Sequence, residues 1–426
     1  MRSFLTVLLA LILIGCQNAK PSKTAIMVKE EPIVIMIGID GLRWDAIDRH
    51  PAPELNAIAE AGVRAQSMIP VMPSLTFVNF YSLATGLYAE NTGITGNMPY
   101  SIEYDAVMGR KMHSESRWWG GEPIWVTAEK QNIRTAAMFW LGSEAEIKGV
   151  RPSHWSKYEH YKPHAERVEN VLNWLAMDAP ERPRFITIYF SDVDSALHRY
   201  GPETPEEGNA IAKVDASITS LRAGIEKLGL SDRVNLIIVS DHGITPIDPD
   251  FLVYLDDYID LKHVFVPSFD SPEGPRSNPF AHLFVKDKAN IDMLYNKLVN
   301  AHPHMKAYKR ADIPKSWHLD SADRTGDIFV VLDGGGVDGG NEKGGGMVFA
   351  RSMKSVYKHA PTGMHGYDRF DQDMGATFIA MGPNFKVGVK AKTFENVEVY
   401  GIIARILDIT PAKTDGDIKR VEYFLK

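Results

Sequence analysis

The sequence predicts an α/β fold: a central, mostly parallel sheet flanked by helices, with a small α+β insertion. Three observations predict it. Ile33–Ile39, Phe185–Phe190 and Val234–Val239 are short apolar runs without polar alternation, the pattern of strands buried on both faces. Each run leads within a few residues to an aspartate: Asp40, Asp194 and Asp241. The segment before the third run carries a helical apolar stripe, Ile211, Val214, Ile218, Leu221, Ile225 and Leu228. In open α/β sheets ligands bind beyond the carboxyl ends of the strands, so these aspartates mark the working edge.

Composition bounds the rest. The chain has 426 residues, 24% of them charged and 44% hydrophobic, which suits a globule with a large core. A net charge of −7 argues against nucleic acid as a stable partner. Arg2 and the apolar Leu5–Ile14 form an n-region and an h-region too short to span a bilayer. They end at Leu13-Ile14-Gly15-Cys16, which resembles a bacterial lipoprotein signal. That resemblance implies cleavage before Cys16, acylation of its sulfur, and an outer-membrane lipid anchor on the periplasmic side of the envelope. Cys16 is the single cysteine, so no intramolecular disulfide forms. The expected organisation is a signal peptide over 1–15, a tether over 16–31, a core built from 32–244 and 350–426, and an insertion over 245–349.

Taken in order, Ile33–Ile39 is the first strand and Asp45 opens a helix running through Ala61. Pro70 and Pro73 keep the next approach extended. Phe77–Ala84 has no breaker before Gly86 and reads as a helix, which puts Thr76 at its N-terminus. There it serves as an N-cap, as an anion contact, or as both. Tyr100–Gly121 reads as a long, polar, mobile loop. Ile124–Gln131 is a helix, Thr135–Trp140 a strand and Glu166–Ala176 a helix. After Phe185–Phe190, Asp194 and His198 stand four apart, so one helical turn puts both on one face. Val234–Val239 then meets Asp241 and His242 side by side, with Gly243 for a sharp turn. Ala281–Val285 and Ile291–Ala301 belong to the insertion. Asp333–Gly346 is a glycine-rich loop without the Gly-Lys-Ser/Thr of a nucleotide P-loop. Thr377–Ala380 and Val399–Leu407 return to the core as a strand and a closing helix.

The candidate ligands are Asp40, Thr76, Asp194, His198, Asp241, His242 and His365. Two Zn²⁺ ions with three or four N/O ligands each would use the set fully, and three histidines favour zinc over magnesium or calcium. Two such metals can clamp the attacking and leaving oxygens of an in-line phosphoryl displacement.

These residues carry a resemblance. Gly38-Ile39-Asp40-Gly41, Pro73-Ser74-Leu75-Thr76-Phe77 with Asn79, Thr85-Gly86-Leu87-Tyr88, Gly96-Asn97, Trp140 with Gly142-Ser143-Glu144, Ser240-Asp241-His242-Gly243 and His365-Gly366-Tyr367-Asp368 resemble the nucleotide pyrophosphatase/phosphodiesterases of the alkaline phosphatase superfamily. The chain departs from the family pattern at Phe80, Leu141, Val193 and Leu197. The resemblance implies an alkaline-phosphatase-like sheet and one zinc on Asp40, Thr76, Asp241 and His242. It implies a second zinc on Asp194, His198 and His365, with Thr76 as nucleophile and a phosphothreonine intermediate. Asn79, one turn along, would donate to a phosphoryl oxygen. Phe77 and Trp140 would line a nucleobase slot, with core packing the alternative for each, and Asn97 would contact substrate or serve as a turn residue.

The implied activity is release of nucleoside 5′-monophosphates from small-molecule nucleotide substrates. A phospholipid head-group phosphodiesterase of the choline type would use the same metals with a different pocket. A non-catalytic surface binding lipoprotein is the alternative from another class. No arginine stands near Thr76 in the sequence, which counts against a phosphomonoesterase. Oligomeric state leaves no mark in the sequence.

Overall fold

The computed structural model describes residues 31–335, 344–353 and 361–426. Cys16, the leader and the tether up to residue 30 lie outside these, as does the 336–343 part of the glycine-rich loop.

Eight strands form the central sheet. They are β1 (Ile33–Ile39), β2 (Val63–Ala65), β3 (Thr135–Met138), β4 (His154–Ser156), β5 (Phe185–Phe190), β6 (Val234–Val239), β7 (Phe378–Met381) and β8 (Val389–Ala391). Their order is β8-β2-β7-β6-β1-β5-β3-β4. Only β7 runs antiparallel to its neighbours; every other pairing is parallel. β1, β5 and β6 are buried along their whole length, which is why they read as unbroken apolar runs. Their register places the site. Ile39 pairs with Phe190, and Gly38 with Val239. Two residues beyond Gly38 and Val239, Asp40 and Asp241 therefore leave the sheet at one level.

The longer helices among the described residues are α1 (Pro53–Ala61), α2 (Thr76–Thr85), α3 (Ile124–Lys130), α4 (His164–Leu175), α5 (Asp192–Tyr200), α6 (Pro205–Lys227), α7 (Ile291–Leu298) and α8 (Val399–Leu407). The helix expected from Asp45 to Ala61 is broken. A single turn, Ala46–Arg49, ends at His50, which is extended because Pro51 follows it, and Pro53 starts α1 afresh. In α6 the expected stripe is buried from Ile211 to Ile225, but Leu228 caps the helix and is exposed.

Tyr100–Gly121 is not a bare polar loop. It contains a short hairpin, Tyr100–Ser101 with Ala106–Val107, and it buries Trp118 and Trp119 in the main core. Within 245–349, an antiparallel sheet orders Val264–Phe265, Phe280–Val285, Ile328–Leu332 and Met305–Lys309 side by side. Alternate residues of those strands join α7 in a second apolar cluster, while Phe280, Phe329 and Val331 face the main core. Thr245–Tyr254 pairs with Gly345–Phe349 and with Gly363–Met364, bringing the chain back to His365. Among the described residues no helix is long and apolar enough to cross a membrane.

Candidate active site

Three strand ends and two returning segments converge at the carboxyl edge of the sheet. Asp40 follows β1, Asp194 and His198 lie on α5 directly after β5, and Asp241 and His242 follow β6. Gly41 makes the first of these turns possible. Its φ is +72°, and a Cβ there would come within 3.0 Å of Asp194 backbone. Gly243 is needed for a different reason than a turn conformation: a Cβ would sit 2.1 Å from the Asp373 carbonyl oxygen.

Among the described residues, two groups of side chains are placed to hold a metal ion: Asp194, His198 and His365, and Asp40, Asp194 and His242. In the first, His198 Nε2 is 3.3 Å from Asp194 Oδ1 and 3.2 Å from His365 Nε2. In the second, His242 Nε2 is 3.6 Å from Asp40 Oδ1; Asp241, outside that group, puts its Oδ2 2.8 Å from the same nitrogen. Asp194 is thus within reach of both sets. Thr76 Oγ1 stands 3.4 Å from His242 Nε2.

The donor chemistry fits cations. Each histidine has its Nδ1 against a backbone carbonyl: His198 on Gly363, His242 on Gly243 and His365 on Ser74, at 2.9, 2.9 and 2.8 Å. A carbonyl only accepts, so Nδ1 carries the proton and Nε2 keeps a free lone pair. Among the described residues, Asp40 Oδ1, Asp194 Oδ1 and Asp241 Oδ2 are buried without a hydrogen-bond partner. Their sister oxygens are held: Tyr189 donates to Asp40 Oδ2, and the Gly41 N–H to Asp241 Oδ1 at 3.0 Å. Burial pushes Asp40 well above the usual carboxylate range, and the charges on Asp241 and Asp194 add to it. Burial also pushes Asp241 up to about 7, and holds His365 well below the usual imidazole range with His242 and His198 beside it. A bound divalent cation reverses the pressure on the two carboxylates, because it rewards their charge, and agrees with the neutral imidazole that burial already favours at His365.

Thr76 is the first residue of α2; the cap position is Leu75, and no side chain caps the helix. Asn97 accepts the Phe77 N–H on its Oδ1 at 3.0 Å and lines the adjoining cavity. With the oxygen so occupied, its NH₂ is the group left for a ligand.

Asn79 is not brought to the site. It is fully buried, with Nδ2 near the carbonyls of Val71, Pro73 and Leu75 at 3.1–3.2 Å and Oδ1 accepting from Val71 N–H and Asn396. The family resemblance implied a substrate donor there, but the bend before α2 consumes the whole amide. Trp140 also departs from the slot expected of it. Its Nε1 donates to the Phe80 carbonyl at 3.0 Å, and its ring packs edge-on to Phe80 at 5.0 Å, inside the core. Phe77 does line the cavity, with its ring 4.9 Å from that of His113.

The cavity holds about 600 Å³ and reaches from His198 and His365 past Phe77 and Asn97 to the 267–284 segment. Arg110, His113, Arg276 and Arg324 line it, and the sequence reading missed all four. They arrive from segments far apart in the chain, without a motif to join them. Asp192 and Tyr189 support rather than ligate: Asp192 is bound by His164 and Lys213, which hold it well below the usual range against the cost of its burial.

Fold and site define the class first: an α/β protein with a candidate metal centre at the carboxyl edge of its sheet. The sequence matches the family described as type I phosphodiesterase / nucleotide pyrophosphatase over residues 34–368. The chain belongs to that family. It is 33% identical to human ectonucleotide pyrophosphatase/phosphodiesterase family member 1, over 93% of this chain and 42% of that protein. It is 31% identical to a venom phosphodiesterase of Naja atra, over 96% of this chain and 48% of that protein. The chain therefore spans about half the length of these relatives. An uncharacterized pyrophosphatase/phosphodiesterase of Schizosaccharomyces pombe is 32% identical over 90% of this chain and 78% of its own. Among solved structures, murine ectonucleotide pyrophosphatase/phosphodiesterase 5, an inactive variant in complex with AMP, superposes with a TM-score of 0.83. That match has 26% identity and covers 93% of this chain and 100% of the other.

Proposed function

We propose that this chain is a zinc-dependent nucleotide phosphodiesterase/pyrophosphatase that releases nucleoside 5′-monophosphates through a phosphothreonine intermediate. The observation that carries this reading is the convergence of three orphaned carboxylate oxygens and three bare Nε2 atoms beside the hydroxyl of Thr76. One Zn²⁺ would be held by Asp40, Thr76, Asp241 and His242, and another by Asp194, His198 and His365. When bound, such cations supply Lewis acidity, easing ionisation of the hydroxyl and of water and neutralising phosphoryl charge.

The chain's own groups do the rest. Thr76 opens α2, so its Oγ1 attacks phosphorus next to free helix N–H groups that favour the phosphoryl anion. The Asn97 NH₂ donates to a non-bridging oxygen, the role the sequence pattern assigned to Asn79. The Phe77 ring, backed by His113, offers an aromatic face to a nucleobase. The leaving oxygen departs toward His198 and His365, and water re-enters from that side to free Thr76. A choline ester would bring a cation into a cavity whose wall carries three arginines and one glutamate, which disfavours the head-group alternative.

The test is a trapping experiment. Brief reaction of the zinc-loaded protein with a p-nitrophenyl nucleotide ester, followed by acid quench, should release p-nitrophenol and leave a nucleoside 5′-monophosphoryl group on the peptide containing Thr76. Thr76→Ala should abolish that signal and lower turnover by about 10³-fold or more. Wild-type turnover by the alanine variant, or a strong preference for p-nitrophenylphosphorylcholine, would refute the proposal.

A further inference from the structure

One wall of the cavity, residues 266–278, is a strap with two firm feet. At the first foot Val266 is buried in the second apolar cluster. At the other, the Ser277 hydroxyl donates to the Val348 carbonyl at 2.8 Å, and the Asn278 carbonyl accepts the Val348 N–H at 2.9 Å. Between the feet the chain bends back on itself. The Arg276 N–H reaches the Ser268 carbonyl at 2.7 Å, and the Gly274 N–H reaches the Ser271 carbonyl at 3.0 Å. Gly274 has a φ of +91°, and a Cβ there would meet nothing within 4 Å. Over 272–276 no side chain is buried. Yet Glu273 and Arg276 line the cavity that runs to His198 and His365.

The tip of the strap closes on the opposite wall through polar contacts. Glu273 accepts the Arg110 N–H on Oε1 at 3.2 Å, and its Oε2 lies 3.7 Å from Arg110 Nε. The Ser271 hydroxyl donates to Met98 Sδ at 3.0 Å. The Arg110 side chain is 75% exposed, so water and salt compete for the ion pair, and pairs of this kind add little to stability. A segment held at both ends, with no buried side chain at its tip and an exposed pair across it, opens locally while its feet stay folded.

We propose that residues 270–276 form a lid over the candidate active site, with Glu273 and Arg110 as its latch. Open, the lid admits substrate and frees product. Closed, it shields the reacting phosphorus from bulk water. The lid goes beyond the phosphodiesterase reading and rests on it only for a turnover readout.

A covalent lock tests it. Cys16 is the single cysteine, so a new pair can be placed cleanly in a Cys16→Ala background. Gly109 has a φ of −96°, which any residue adopts, and a Cβ there would lie 3.8 Å from the Pro272 Cβ, within the span of a disulfide. Gly109→Cys with Pro272→Cys should lose turnover of a p-nitrophenyl nucleotide ester about tenfold or more when oxidised, and regain it with a thiol reductant. Amide exchange read by mass spectrometry is independent of turnover. Peptides over 270–276 should exchange about tenfold or more faster than those of Phe280–Val285, and faster still in Glu273→Gln. Wild-type turnover by the oxidised double variant overturns the lid while the phosphodiesterase reading stands. Exchange over 270–276 as slow as in Phe280–Val285, or unmoved by Glu273→Gln, also overturns it. A wild type that cleaves no nucleotide ester refutes the phosphodiesterase reading, and the exchange comparison then decides the lid alone.

Discussion

Asn79 and Asn97 show how one residue type divides its work. Asn79 closes the bend ahead of α2 with every polar atom occupied by neighbouring backbone and Asn396. Truncation strands the Val71 N–H and several carbonyls in a dry interior, so Asn79→Ala should destabilise the fold by about 2–4 kcal/mol. Asn97 spends one acceptor on the Phe77 N–H and keeps its donors for the cavity. Asn97→Ala should leave the melting temperature near wild type and lower kcat about 10²-fold. Urea unfolding and steady-state kinetics on both variants separate the roles; a stable Asn79 variant with crippled turnover would reverse them. The sequence alone could not divide them, because spacing places a residue on a helix without saying which carbonyls the preceding bend turns inward. The meeting of Asp40, Asp241 and His242 at one sheet edge was legible for the opposite reason. Asp40, Asp241 and His242 each follow an apolar run, and a strand end has only one place to deliver its next residues.

At the scale of elements, α8 offers a titration test. Glu398 caps its N-terminus, is buried, and accepts the Asp417 N–H on Oε2 at 2.6 Å. Burial pushes its carboxyl up to about 7 against the pull of Arg420. The folded state therefore binds this proton more tightly than the unfolded chain does. The stability this provides is complete below about 4.5 and is lost as pH rises through 7. Glu398→Gln keeps an acceptor and removes the ionisation. Its unfolding free energy should vary less than wild type's between pH 4.5 and 7 and exceed it above 7; identical pH slopes would show that Glu398 ionises without cost. Elements with a strong apolar pattern, the unbroken runs of β1, β5 and β6 and the helical stripes of α6 and α8, match the reading in kind. Tyr100–Gly121 was not, because its buried tryptophans lie in short turns without a period. The His50-Pro51 boundary was a local backbone constraint overridden in reading by the hydrophobic pattern around it.

For the whole molecule, the centre ties three strands, α2 and the return through His365 into one unit. Removal of metal should leave its buried carboxylates facing one another. Chelation should therefore lower the melting temperature by several degrees, as loss of a ligand worth about 3–4 kcal/mol of linkage does, and zinc should restore it. A melting curve indifferent to chelator would argue against a resident ion. The envelope anchor we propose at Cys16 is tested by fractionation: Cys16→Ala should move the protein from the membrane to the soluble periplasmic fraction, and a variant that stays on the membrane refutes the lipid. The arginines of the cavity show where sequence reading ends at this scale. Arg110, Arg276 and Arg324 meet only because the 267–284 segment folds back over Phe77 and Asn97.

The pairing of Gly38 with Val239 also bears on how the protein matures. A slip of one residue between β1 and β6 would carry one carboxylate about 3.3 Å along the sheet and turn it to the opposite face. A mis-registered pair of strands then cannot present both Asp40 and Asp241 to one ion. On the proposed reading, an ion shared by these two carboxylates is captured only after β1 and β6 have met in register.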